Sequence, residues 1–246
     1  MLFSCVYAGA GGYEPASFKR YKKGADKMWS VEQVAGTIDH SVLKPESTEA
    51  DVIAGCEAGK KYGVASVCVM PANVKLAVET LAGSGVPVCA VIGFPFGYTF
   101  SEAKMSEAET ALALGATELD MVMNVGKFLS GAEDYVHSDM SAVAAVASAG
   151  DAVLKVILET CLLDPEQIAK ACLLAELAGA GFVKTSTGFS GSGATPGAVE
   201  IMVRATGGRI GVKASGGIRT LEQAISYLEQ GCTRIGTAAT AAILGW

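Results

Sequence analysis

Three features of the 246-residue sequence predict an α/β protein folded as a single-domain (β/α)8 TIM barrel. Short β-branched runs alternate with Ala-, Glu- and Lys-bearing stretches of helical length from about residue 37 onward, the pattern of repeated βα units. Several runs, VCAVIGF and LKVILE among them, are almost continuously apolar, as parallel strands covered on both faces are. Eight such runs can be marked, and closed barrels commonly take about 250 residues as one unit. An open doubly wound sheet is the alternative arrangement of the same units.

Residues 1–30 read as an N-terminal appendage over the barrel bottom and 31–246 as the barrel domain. The predicted strands are 37–43, 65–71, 86–94, 117–125, 153–160, 182–188, 211–217 and 233–238. Between them, Thr48 with Asp51 and Thr220 with Gln223 have capping-box spacing, in which each side chain bonds the other residue's backbone N–H. Asp164-Pro165 and Thr195-Pro196 place a capping oxygen before a first-turn proline, where the missing N–H has no partner to lose. Gly63, Gly115, Gly150 and Gly231 follow helical stretches as stops.

Composition narrows the function. Lys+Arg number 19 against 25 Asp+Glu, a formal charge of −6 without a basic cluster, which argues against a nucleic-acid or anionic-membrane partner. The seven cysteines, Cys5, Cys56, Cys68, Cys89, Cys161, Cys172 and Cys232, show no C-x-x-C spacing and read as reduced thiols of a cytoplasmic protein. With only His40 and His137, no His-rich or structural zinc site is written in the chain, while a mixed carboxylate metal site stays open. Met1 to Ala10 lacks the basic start and cleavage region of a signal peptide. No apolar stretch reaches the ~18 residues of a membrane span.

Active residues of such barrels sit toward the C-terminal ends of strands, and period two sorts the side chains there. Asp120, Val122 and Asn124 share a face of the fourth strand; Lys155, Ile157 and Glu159 share one on the fifth, Lys184 and Ser186 on the sixth, Lys213 and Ser215 on the seventh. Burying lysines and a carboxylate is expensive unless they are paired or useful. One explanation is a structural ion network, Lys155 with Glu159 or Asp120. The other is lysine chemistry: ammonium groups on adjacent strands ease one another's deprotonation, and a free amine attacks a carbonyl to form a Schiff base. Periodicity does not choose between Lys184 and Lys213 as nucleophile.

A second cluster comprises STGFSGSGAT at 186–195, SGGIRT at 215–220 and RIGTA at 234–238. Its glycines let backbone N–H groups approach an anion, and a helix starts after Thr220. Loops after strands seven and eight are the usual phosphate site of barrels, so a phosphorylated substrate is expected. Cys68 reads as strand core. His40 reads as a core or helix contact, since adjacent Asp39 faces the other way. GFPFG at 93–97 reads as the shaping turn after the third strand.

At these residues the chain resembles the deoxyribose-phosphate aldolases, a family of metal-free, Schiff-base-forming barrel enzymes. The resemblance runs from about Ile38 to Gly236 through IDHSVLKP, SVCVMP, GFPFG, ELDMVMNVG, LKVILET, FVKTSTGFSGSGATP, GVKASGGIRT and RIGT, in that order. It implies that Lys184 forms the Schiff base, that Lys213 eases its deprotonation and that Asp120 takes part in proton transfer. It implies reversible cleavage of 2-deoxy-D-ribose 5-phosphate to acetaldehyde and D-glyceraldehyde 3-phosphate. The phosphate would rest against Gly188, Gly216, Gly217 and Gly236 with Thr237 nearby, and Asp39 and Lys155 would support the pocket. The implied partners are small-molecule aldehydes and sugar phosphates, without a metal or cofactor, and a homodimer is permitted.

Two departures from the family pattern bear on these expectations. Thr237-Ala238-Ala239 stand where relatives carry serines, at about 0.5–1.5 kcal/mol per lost neutral hydrogen bond, which leaves open the relative use of phosphorylated and unphosphorylated aldehydes. The sequence ends Ala-Ile-Leu-Gly-Trp246 in place of a tyrosine-ending tail, which shifts the expected proton transfer onto water and Asp120. Another lysine-dependent aldolase or transaldolase with a different donor is the alternative enzyme. A non-catalytic sugar-phosphate-binding barrel is the alternative outside enzymes.

Overall fold

A computed structural model describes residues 29–245 of the chain. The expectation for the N-terminal appendage therefore lies outside the described residues apart from Trp29 and Ser30. The Ser30 hydroxyl accepts the Gln33 N–H and caps α1 (Val31–Ala35).

The parallel strands close into a barrel in sequence order, the last bonded to the first, as the alternation predicts. They are β1 (Ile38–Val42), β2 (Ser66–Val69), β3 (Val88–Ile92), β4 (Glu118–Val122), β5 (Val153–Ile157), β6 (Phe182–Lys184), β7 (Gly211–Ser215) and β8 (Arg234–Thr237). Every ladder is shorter than its predicted run. The largest proportional difference is at β6, where 182–188 shrinks to Phe182–Lys184. Beyond Lys184 the chain stays buried through Thr187, and Thr185 still bonds the backbone on both sides, to Lys213 O and from Thr160 N–H.

Around the barrel lie α2 (Glu49–Tyr62), α3 (Val74–Leu81), α4 (Ser101–Ala113), α5 (Val125–Leu129), α6 (Glu133–Ala149), α7 (Pro165–Leu177), α8 (Pro196–Thr206), α9 (Leu221–Glu229) and α10 (Thr240–Leu244). Both predicted capping boxes form, at the starts of α2 and α9. Asp164 and Thr195 cap α7 and α8 ahead of their prolines.

Period two then divides the strand residues. Met121, Val156, Val183 and Val212 face outward and join the large apolar layer between strands and helices, each such burial contributing roughly 1.5–3 kcal/mol. His40 also lies outside the barrel wall: its Nδ1 is 2.8 Å from Thr240 Oγ1 at the start of α10, the helix contact expected of it. Inside, Cys68, Cys89 and Val91 make a small apolar cluster, with Leu43, Met70 and Phe94 packed on it. Strands β4 to β8 fill much of the remaining interior with charge.

Candidate active site

The ladder brings the charged strands into register. Asp120 lies opposite Lys155, Lys184 opposite Lys213, and Lys213 opposite Arg234. Neighbouring strands are only about 4.8 Å apart, so inward side chains at these positions meet. Asp120 Oδ2 accepts from both Lys184 Nζ and Lys213 Nζ, each at 2.7 Å. Asp120 Oδ1 accepts from Lys155 Nζ at 2.8 Å and from the Cys89 thiol at 3.1 Å. Behind this carboxylate, Asp39 Oδ1 accepts from Arg234 at 2.5 Å. Its Oδ2 stands 2.5 Å from Lys213 Nζ as an ion pair without hydrogen-bond alignment. Glu118 closes the network, 2.7 Å from Lys155 and 2.9 Å from Arg234.

The cluster therefore sets four cations, Lys155, Lys184, Lys213 and Arg234, against three carboxylates, Asp39, Glu118 and Asp120. Sequence reasoning found Asp39, Asp120 and the lysines but missed Glu118 and Arg234. The same period-two argument could have found them, since Glu118 shares a face with Asp120 and Arg234 with Gly236.

Burial disfavours each of these charges, and the partners decide the outcome. At Asp120, Lys155, Lys184 and Lys213 overcome burial and hold the carboxyl well below its usual range. Lys213, Lys155 and Arg234 likewise outweigh burial and lower Asp39. Burial pulls Lys155 and Lys213 down, but Asp120 foremost, with Asp39, raises both above the ordinary lysine value. This corrects the expectation that neighbouring ammonium groups simply depress one another: carboxylates stand between them. Lys184 differs in two respects. Its carboxylate partner is one oxygen that it shares with Lys213. It also keeps 3% of its side chain exposed, against 0% for Lys155 and Lys213. Of the three lysines, Lys184 makes the fewest ion-pair contacts.

Glu159 does not join Lys155. It adopts a left-handed backbone at φ 57° and ψ 59°, which breaks the alternation that placed it on the Lys155 face. Its carboxylate instead accepts from the Thr187 hydroxyl and, at 3.1 Å, from the Thr187 N–H.

The glycine loops gather at the mouth. Gly188, Gly216 and Gly217 have φ values of 88°, 86° and 80°, which favour glycine. The loops after β6 and β7 touch backbone to backbone: a Cβ on Gly193 would fall 2.1 Å from Gly216 O. Gly236 serves a different purpose, because a Cβ there would come within 3.0 Å of Lys213 Cε. Thr237 follows Gly236 at the end of β8. Its hydroxyl donates to Ile218 O at 2.8 Å and accepts from Ala239 N–H at 2.9 Å, so it braces the loops. Asp39 and Lys155 are fully enclosed and meet the mouth only through Asp120 and Lys213. Cys68, Cys89 and Asp120 bring three metal-ligating atoms within 4.8 Å of one another. The Lys155 ammonium already engages two of those atoms, 3.4 Å from Cys89 Sγ and 2.8 Å from Asp120 Oδ1.

Comparison with known proteins adds an independent line. A family model described as DeoC/LacD family aldolase matches residues 33–243. The deoxyribose-phosphate aldolase of Bacillus cytotoxicus is 50% identical over 211 residues, 86% of this chain and 94% of the relative. That of Clostridium perfringens is 49% identical over 212 residues, with the same coverage. The solved deoxyribose phosphate aldolase of Aeropyrum pernix, described as tetrameric, superposes with a TM-score of 0.83 at 36% identity, covering 88% of this chain and 91% of that one.

Proposed function

From the premise that the chain belongs to the DeoC/LacD family of aldolases and is a lyase, we propose that it reversibly cleaves 2-deoxy-D-ribose 5-phosphate to acetaldehyde and D-glyceraldehyde 3-phosphate, with Lys184 as Schiff-base nucleophile. The observation that carries the assignment is the Asp120 oxygen shared by two ammonium groups of which Lys184 alone has exposed side chain.

The neutral amine of Lys184 attacks C1 of the open-chain sugar. Its departing proton balances the cluster, while Lys213 stays charged on Asp120 Oδ2 and is placed to protonate the carbinolamine oxygen that leaves as water. The protonated imine restores the positive charge beside Asp120 and draws electrons as the C2–C3 bond breaks. Carbon count fixes that bond: acetaldehyde takes C1 and C2, and the phosphorylated fragment C3 to C5. The C3 hydroxyl proton leaves through water to the Asp120 and Lys213 pair, and the enamine is protonated at C2 and hydrolysed. Asp120, held anionic, acts as the bridge between proton donors. The left-handed glycines at 188, 216 and 217 support a phosphate at the mouth.

The enzyme is proposed to work in the cytoplasm, which the free thiols among the described cysteines support, and as a homodimer, for which α7 offers the exposed Leu173 and Leu177. No helix among the described residues is long and apolar enough to cross a membrane.

Borohydride trapping with acetaldehyde, followed by peptide mass mapping of the wild type and Lys184→Ala, tests the assignment. An ethyl adduct on Lys184 that disappears in the variant supports it. An adduct on Lys213 reverses the two roles, and no adduct leaves a binding protein. Activity undiminished by a chelator is expected alongside.

A further inference from the structure

Glu159 is a buried carboxylate that the reaction above does not use. Its left-handed backbone is one that L side chains rarely adopt. The consequence is visible in the ladder. Leu158 N–H donates to Lys184 O and Thr160 N–H to Thr185 O, both at 2.9 Å, so two steps along one chain match a single step along the other, as in a bulge. The bulge swings Glu159 away from Lys155 and onto the continuation of β6. There Oε1 accepts the Thr187 N–H at 3.1 Å and Oε2 accepts the Thr187 hydroxyl. That hydroxyl in turn accepts the Phe189 N–H at 3.0 Å. The residues on both sides of Gly188 are thereby fixed by one carboxylate, which has no ion-pair partner among the described residues and spends its charge on these donors.

We propose that Glu159 is a positioning residue that shapes the 187–189 segment to receive the substrate's phosphate. The inference rests on the functional reading above, which puts the phosphate against Gly188. Glu159 acts through Thr187 and touches neither substrate nor Lys184. Its left-handed turn is what aims the carboxylate at Thr187.

The test compares kcat and KM on 2-deoxyribose 5-phosphate and on unphosphorylated 2-deoxyribose, with acetaldehyde trapping at Lys184 and thermal unfolding as controls. In Glu159→Gln and Thr187→Val, KM for the phosphorylated sugar is expected to rise about tenfold or more, as for the loss of a hydrogen bond to a charged group. Catalysis on 2-deoxyribose and the Lys184 adduct should hold. Thr187→Ser, which keeps the hydroxyl, should restore the KM. Glu159→Gly, which relieves the backbone but removes the carboxylate, should behave like Glu159→Gln. A parallel loss on both sugars, or a wild-type phosphate preference that survives in the variants, overturns the inference. Equal kcat/KM on the two sugars in the wild type overturns the phosphate reading itself, and the inference with it.

Discussion

Two constellations of lysine and aspartate are buried in this molecule, and they differ in arithmetic rather than in residue type. Between α4 and α6, Lys104 donates to Asp139 at 2.6 Å and to Val122 O at 3.1 Å, while Ser101 Oγ donates to the other Asp139 oxygen at 2.7 Å. One cation meets one anion, and the remaining polar capacity is taken up locally. Burial there outweighs Asp139, its one ion-pair partner, and the more distant Glu107, so the Lys104 pKa lies below its ordinary value. In the barrel interior burial is equally complete, yet Lys155 and Lys213 each touch more than one carboxylate and are raised. The inner cluster also carries one cation more than it can pair. A buried lysine alone does not mark a reactive site. The inner group differs in carrying a surplus cation, with Lys184 its least enclosed lysine.

The contrast can be broken most severely at Lys184. Lys184→Met should lower aldolase activity by more than about a thousandfold, as loss of a covalent nucleophile does, while unfolding in urea still shows a folded protein. Next in size is the outer pair. Asp139→Leu alone leaves an uncompensated buried cation and should destabilise the fold by about 3–5 kcal/mol. The double variant Lys104→Met with Asp139→Leu should return close to wild-type stability and keep wild-type turnover per folded molecule. A double variant as unstable as the single one would show that the outer pair is more than a balanced fastener.

A third variant sharpens the role of the surplus charge. Lys155→Met leaves three cations on three carboxylates and so removes the surplus positive charge beside the proposed nucleophile. Activity should fall about tenfold to a hundredfold, the equivalent of roughly 1.4–2.8 kcal/mol, and the acid limb of the pH profile of kcat/KM should move toward alkaline pH. An unmoved limb would mean that the excess cation does not assist the nucleophile.

The same contrast explains what could be read from sequence. The eight strands were legible because strands buried on both faces read as apolar runs, and the capping boxes because they are local. Asp120, Lys155, Lys184 and Lys213 were legible because period two isolates a polar stripe on apolar strands. Strand ends were not, since a ladder stops where its neighbour departs. Lys104 was missed because its burial depends on Asp139, 35 residues further along the chain, within the otherwise polar stretch SEAKMSEAET. Glu159 was assigned to the wrong face because alternation fails at a left-handed residue, and nothing in a glutamate announces that conformation. The bond from the Thr237 hydroxyl to Ile218 O was equally hidden, since it joins loops that meet only in the closed barrel.

The smallest effect concerns pH and separates both ion clusters from the rest of the core. Asp39 and Asp120 titrate below the ordinary carboxylate range in the folded state, so their stabilisation is full above about pH 4 and is lost only in stronger acid. Lys155 and Lys213 titrate above the ordinary lysine value, so theirs is full below about pH 10 and is lost only in stronger alkali. Across neutrality these four groups should be silent. His40 should not be: burial lowers its pKa from 6.5, and its Nδ1 partner is the neutral Thr240 hydroxyl. Below about pH 6.5 the unfolded chain binds the proton more readily, so stability declines on acidification until the folded pKa is passed. Urea midpoints between pH 7.5 and pH 5 should show this decline in the wild type and lose it in His40→Asn. A decline that persisted in the variant would place the titration within the charged interior, and the inner cluster would then be less firmly ionised than its partners imply.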